Sequence, residues 1–436
     1  MSARNRKEGY LLPFLLLVLF LPTQLGKHFW PPFSFLLGFR IDYLSPTLYF
    51  TDILALLFGI AALWDGTNRQ LILGFLYRHR RVLVLVLLSL FLSSVFSRSP
   101  LLGLYGDLKV IEFLLVGLLI ARVVKRKRLT PVVSTLMVSA GGESLLAIGQ
   151  YLHQGSIGGA LYLLGERQFT GQTPGIANAV IDGHLVLRPY GTLPHPNVLA
   201  GFLLVVLILS VWYLRSASAR LSKTLSFLFL LIGSAALFLT LSRTAIMLYL
   251  LFWIGLGVAV LLDRKRYLVK QLTAGIGMLL LGTILVSRTL PDVWIRIGGT
   301  RMGEIAVLSR VLLLREGAVI FLAHPLFGVG VGETLPALSR LSPLLYPWQV
   351  QPIHMIYLVL LTETGLWGGA LFAWFMAKTL QHTRQLDWRK SANAYLATAF
   401  VCLLLIGLVD HYLVTLQQGQ LLFALIWGML WQPQKG

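Results

Sequence analysis

Long apolar runs separated by short polar breaks dominate the chain. Runs long enough to cross a bilayer, about 17–25 residues, lie at 10–26, 46–64, 82–97, 105–121, 130–152, 196–214, 224–242, 243–262, 268–286, 354–377, 392–410 and 415–431. The pattern predicts an all-α polytopic membrane protein with about twelve transmembrane helices. The third run is short, and the seventh and eighth nearly touch. Two polar stretches are long, 153–195 and 287–353. Both are rich in glycine and proline and have little helical period. The exception is 303–323, which predicts a helix lying against the membrane.

Composition agrees with this picture. Of 436 residues, 56% are hydrophobic and 12% charged, against about 25% charged in soluble domains. A net charge of +20 raises the question of a nucleic-acid partner, and its distribution answers it. With the N terminus inside and sides alternating, the inner segments hold 24 of the 37 Lys and Arg but only four of the 17 acids. Cytoplasmic enrichment of Lys and Arg is the signature of orientation, so the charge reflects topology and predicts no nucleic acid. Both termini are predicted cytoplasmic, and 153–195 and 287–353 become outer loops. No inner loop is long enough to fold alone, so 1–436 is read as a single integral membrane domain. Cys402 is the one cysteine, which excludes an intramolecular disulfide. Arg4, Arg6 and Lys7 before the first run resemble a signal peptide. Pro22-Thr23-Gln24-Leu25 is a poor cleavage site, so an uncleaved first span is expected.

Ionisable side chains inside apolar runs are costly and usually functional. The candidates are Asp52, Lys109, Glu112, Glu143, Arg243, Glu363 and Asp410. All but Glu363, near mid-depth, fall on the outer side of their spans. A transporter is expected to line a path through both leaflets; a one-sided set fits a reaction chamber open to the outer face. Lys109 and Glu112, three residues apart on a helix, fit a structural pair equally well.

Four motifs carry candidate chemistry. Arg188 through Asn197, Arg-Pro-Tyr-Gly-Thr-Leu-Pro-His-Pro-Asn, leads into the sixth run. Pro196 suits a first helical turn, and capping explains His195 and Asn197 as well as ligand contact does. In Leu241-Ser242-Arg243-Thr244-Ala245 an arginine sits between two apolar runs with almost no loop. Its fork of donors suits phosphate oxygens; snorkelling to lipid headgroups is the alternative. Arg310 and Arg315 lie about 140° apart on one helix, so one of them at most faces a shared pocket. His354 stands at the mouth of the tenth run, with Glu363 and Gly365 following. An imidazole there can accept a hydroxyl proton or serve structure. There is no Asp-x-Asp pair, and neither a metal nor another cofactor is expected.

Taken together, the order Arg188…Gly-Thr-Leu-Pro-His195-Pro-Asn197, Leu-Ser-Arg243-Thr-Ala, Arg310…Pro325-Leu-Phe-Gly-Val-Gly-Val-Gly332 and His354…Glu363-Thr-Gly365 resembles the O-antigen ligase and polymerase superfamily. The motifs span roughly 185–370. The resemblance implies a GT-C-like membrane glycosyltransferase at the outer face of the bacterial inner membrane. It implies an undecaprenyl- or other polyprenyl-diphosphate-linked glycan as donor and a hydroxyl of lipid core, protein or polymer as acceptor, as in lipopolysaccharide and polysaccharide biosynthesis. Arg243 and Arg310 fall on its diphosphate-binding arginines, with Arg188 a further donor-binding candidate, and His354 falls on its catalytic histidine. His195, Asn197, Glu363, Asp410 and His411 are possible supporting residues. Two positions depart from the family pattern: Met355 stands where asparagine is usual and Leu314 where tryptophan is usual. The mechanism implied is inverting and metal-independent. A polymerase of the same superfamily and, in another class, a transporter for lipid-linked glycans are the rival readings.

Overall fold

The run at 196–214 has no polar face, and a helix that is apolar all round belongs in the interior. The structure, a computed structural model, describes residues 9–181, 183–263, 301–341, 351–388 and 391–432. Its helices in chain order are α1 (Leu11–Leu19), α2 (Phe50–Trp64), α3 (Gly66–Arg78), α4 (Arg80–Val95), α5 (Pro100–Val123), α6 (Leu129–His153), α7 (Pro196–Ser216), α8 (Arg220–Leu239), α9 (Arg243–Asp263), α10 (Arg301–Ala323), α11 (Thr334–Leu341), α12 (Ile356–Arg384), α13 (Ser391–Ile406), α14 (Tyr412–Thr415) and α15 (Gln417–Leu430). Helix α7 is the centre: residues 198–212 are buried one after another. It packs against α6, α8, α9 and α13, while α5 and α15 pair beside it.

By length and apolarity, four described helices can cross a membrane: Arg126–His153, Pro196–Ser216, Arg220–Leu239 and Ile356–Arg384. A fifth candidate joins α2 and α3, which are bent by 102° at Asp65. The protein is therefore helical and polytopic, but the described residues do not reach twelve spans. The run at 268–286 lies outside them. Helices α1 and α15 have only nine and 14 residues, and Asp107, Lys109, Glu112 and Arg122 interrupt the apolarity of α5. The stretch 65–81, read as an inner connection, is helical as α3.

Small hairpins occupy the polar stretches. Strand β1 (Gly26–His28) pairs with β4 (Thr47–Tyr49), β2 (Phe35–Leu36) with β3 (Phe39–Arg40), and β5 (Asn178–Ile181) with β6 (His184–Leu187), all antiparallel. The helix expected at 303–323 is α10, packed on α12 and α11. The rest of the 287–353 stretch yields α11, while 287–300 and 342–350 lie outside the described residues.

Candidate functional site

The motif from Arg188 to Asn197 is held by two polar side chains of α6. The Gln150 amide oxygen accepts from the backbone N–H groups of Tyr190 and Gly191 (2.9 and 2.8 Å), and its nitrogen donates to the Gly191 carbonyl at 3.0 Å. Glu143 accepts from the backbone N–H and the hydroxyl of Thr192 at 2.7 and 2.6 Å. An unpaired buried backbone group costs about 1–3 kcal/mol, so both side chains earn their place inside an apolar helix by closing this loop. We expect Gln150→Leu, which keeps the bulk and removes the bonds, to destabilise the protein by at least that amount; thermal unfolding in detergent checks it. His195 then caps α7, its Nδ1 accepting from the Asn197 N–H at 3.1 Å, with Pro196 in the first turn.

Arg188 is a tie rather than an open cation. Its Nε donates to the Thr240 carbonyl at 2.7 Å and its terminal nitrogen to the Asn197 side-chain oxygen at 2.7 Å. The Thr240 contact fixes the hinge between α8 and α9. There Leu241 adopts a left-handed φ of 52°, a strained geometry for a branched side chain. The sharp turn brings Ser242 and Thr244 to the wall of an open cleft of about 270 Å³, solvent at its mouth included. Arg310 of α10 lines the same cleft, with Asn197, Asp410 and Tyr412 completing its polar lining. Arg243, the first residue of α9, lies close enough to Arg310 for the two charges to repel. Both guanidinium groups are exposed, and among the described residues neither pairs with a carboxylate. Arg315, also exposed, does not line the cleft.

Asp410 sits between α13 and α14, 8% exposed. It accepts from the Asn197 side chain at 2.9 Å and from the His411 backbone N–H at 2.8 Å. Burial pushes its pKa up, but His411, His354, His195 and the Asn197 bond outweigh this and leave it below the ordinary carboxylate value. The rings of His354 and His411 meet edge to face, 5.1 Å between centroids. The His411 Nδ1 bonds the Thr415 hydroxyl at 2.6 Å. His354 is set by its neighbours: Ile353 and Ile356 are buried on either side, and the Ile356 N–H binds the Gly407 carbonyl at 2.9 Å. The Nδ1 of His354 is buried with no hydrogen-bond partner. Burial lowers all three imidazoles, with Asp410 opposing: His195 to about 3, His411 to about 4, His354 by a smaller step. Each is therefore neutral at pH 7, the form that can take up a proton.

Thus Arg310, Asn197, Asp410, His411, His354 and His195 form one cluster, with Arg243 at its edge and Arg188 behind it. Glu363 is not part of it. Its carboxylate accepts from the Thr334 hydroxyl at 2.9 Å, in a joint between α12 and the glycine-rich turn before α11. In that joint the N–H groups of Val329 and Gly330 bind the carbonyls of Thr362 and Glu363, and that of Leu366 binds Pro325. The two backbones touch because Gly328 and Gly365 carry no Cβ: one added at either would lie 2.3 Å from the opposite main chain. The glycine motifs are one mechanical joint. Lys109 likewise stays outside the cluster, bridging Asp52 at 2.6 Å and Glu112 at 3.1 Å. Gln150 was not among the sequence candidates; its signal is an amide in the last turn of an apolar run. Nor was Tyr43, whose ring meets that of His411 at 5.7 Å and which no local pattern marks.

Chemically, the cleft offers the Arg310 guanidinium to an anion, with Arg243 beside it, neither paired with a carboxylate among the described residues, and neutral imidazoles adjoin its Asp410 wall. Among the described residues, no group of three or more His, Cys, Asp or Glu is arranged to hold a metal ion. Residues 227–373, from α8 to the middle of α12, match the family model described as O-antigen ligase. Among curated proteins and solved structures, nothing matches the chain.

Proposed function

We propose that this chain, which belongs to the O-antigen ligase superfamily through residues 227–373, moves a glycan from a polyprenyl diphosphate carrier to an acceptor hydroxyl. The observation that carries this reading is the neighbouring pair Arg243 and Arg310, charged and, among the described residues, without carboxylate partners, beside an imidazole that is neutral at pH 7. In the proposed step, His354 takes the proton from the acceptor hydroxyl. The oxygen attacks the anomeric carbon as the bond from that carbon to the diphosphate oxygen breaks. The diphosphate leaves with the electron pair, and the arginines hold its charge; preorganised charge of this kind is usually the largest catalytic term. Asp410 stabilises the imidazolium that forms. Attack opposite the leaving group inverts the anomeric centre. The cluster faces the outer side of the bacterial inner membrane, where a lipid-linked donor is available and nucleotide sugars are not.

Reconstitution with a polyprenyl diphosphate glycan and candidate acceptors, followed by mass analysis, tests the reading. A new glycan–acceptor adduct with release of the carrier diphosphate supports a ligase. Growth of the glycan on its carrier supports the polymerase form of the same chemistry. Movement of intact donor across the bilayer with no new glycosidic bond overturns both.

A further inference from the structure

Away from the elements that line the cleft lies a second concentration of positive charge, where α3 and α4 meet the end of α5. Helix α5 begins near β4, where Tyr105 accepts from the Thr47 N–H at 3.0 Å, and ends at Arg122 and Val123. Beside that end, α2 stops at Trp64, the chain bends by 102°, and α3 runs nearly perpendicular to α2. If α2 crosses the bilayer, α3 lies along its surface. Its side chains suit that position. Ile72 is buried, Phe75 and Leu76 pack against the core, and Leu71, Leu73 and Tyr77 are exposed. Trp64 at the corner is 85% exposed. Aromatic residues of this kind favour the headgroup level of a membrane.

Among the described residues, the cations at this corner have no ion-pair partner that would neutralise them. Arg78, at the end of α3, and Arg122 are close enough to repel each other, and both bear on His79 between them. The Arg122 guanidinium lies 4.5 Å over the Phe75 ring, which fixes its plane, and its Nε is buried with no hydrogen-bond acceptor. Arg80, stacked 4.6 Å over Tyr77, and Arg81 extend the patch into solvent. Among the described residues, no carboxylate is in ion-pair range of any of these four arginines. A planar donor held flat, an unused N–H and a second guanidinium beside it match a phosphodiester. The exposed Trp64, Leu71, Leu73 and Tyr77 match the acyl chains below one.

We propose that the corner formed by α3, the start of α4 and the end of α5 binds the headgroup of an anionic phospholipid, with Arg78 and Arg122 on its phosphate. This site is separate from the cleft, and its occupancy does not depend on what the cleft transfers. Full-length protein is reconstituted in nanodiscs of phosphatidylcholine alone or with phosphatidylglycerol. Thermal unfolding is recorded, and retained lipid is counted by native mass spectrometry. Wild type is expected to keep phosphatidylglycerol through delipidation and to unfold at a higher temperature in its presence. Arg78→Gln, a change at an exposed position that leaves the core intact, should weaken retention by about fivefold. That is the factor set by the roughly 1 kcal/mol that one basic residue contributes at an anionic surface. Adding Arg122→Gln should weaken it by a similar factor again. Equal unfolding of wild type in both lipids, or undiminished retention by Arg78→Gln, overturns the proposal. So does an equal stabilisation by inorganic phosphate in phosphatidylcholine discs, since the site would then recognise phosphate without its lipid.

Discussion

Replacing His354 by alanine abolishes transfer, by about 10²–10⁴-fold, the usual contribution of a positioned general base, while the protein still inserts and folds. The side chain is half-buried, with an unpartnered Nδ1, so its removal strands no hydrogen-bond partner at that nitrogen. The pH dependence follows from its setting. Burial lowers the His354 pKa below the ordinary 6.5, with Asp410 opposing. The base works when neutral, so the rate should hold as pH falls through 6.5 and drop only at more acid pH, as the imidazole protonates. Asp410→Asn removes the opposing charge and should move that drop to still lower pH. Initial rates in detergent across the pH range check both. An undiminished rate in His354→Ala, or a drop already complete above pH 6.5, would assign the base elsewhere.

The second large effect belongs to the arginines. Arg243→Ala and Arg310→Ala should each lower transfer by about 10²–10³-fold, the scale found when one preorganised donor to developing charge is removed. Lysine should restore little at either position, since it offers a point charge in place of a planar fork. The two act on one leaving group, so the double variant should lose less than the product of the single losses. Arg188 behaves differently in this account. It ties the Thr240 carbonyl to Asn197, so Arg188→Ala should lower thermal stability as well as rate. Losses confined to Arg188, with Arg243 and Arg310 replaceable at no cost, would move the diphosphate site away from the cleft.

What the sequence disclosed follows the physics of each signal. Helices α7 and α8 were readable because continuous apolarity over a bilayer's thickness has one interpretation. Helix α1 ends early for a reason also in the chain, the break after Phe20, but an apolar count smooths over it. Arg243, His354 and Asp410 stood out as ionisable groups at the ends of apolar runs. The tie from Arg188 to Thr240 did not, because 52 residues separate the partners and only the left-handed Leu241 turn brings them together. The Glu363 and Gly365 motif was visible as a pattern, but its pairing with the Gly328 turn is a contact between main chains and leaves no trace in side-chain chemistry. Met355 and Leu314, the two departures from the family pattern, pack against the same small core around Leu313, Ile320 and Ile353. That cluster seats α10 and the start of α12 together, so both departures bear on how Arg310 and His354 are held.

Binding and turnover measured side by side on one donor decide the matter. Purified wild type, His354→Ala and the Arg243→Ala, Arg310→Ala double variant are titrated with a polyprenyl diphosphate glycan, and transfer is followed in the same samples. The account predicts that the histidine variant binds donor like wild type without transferring it, and that the double-arginine variant loses binding and transfer together. Full transfer by either folded variant would contradict it.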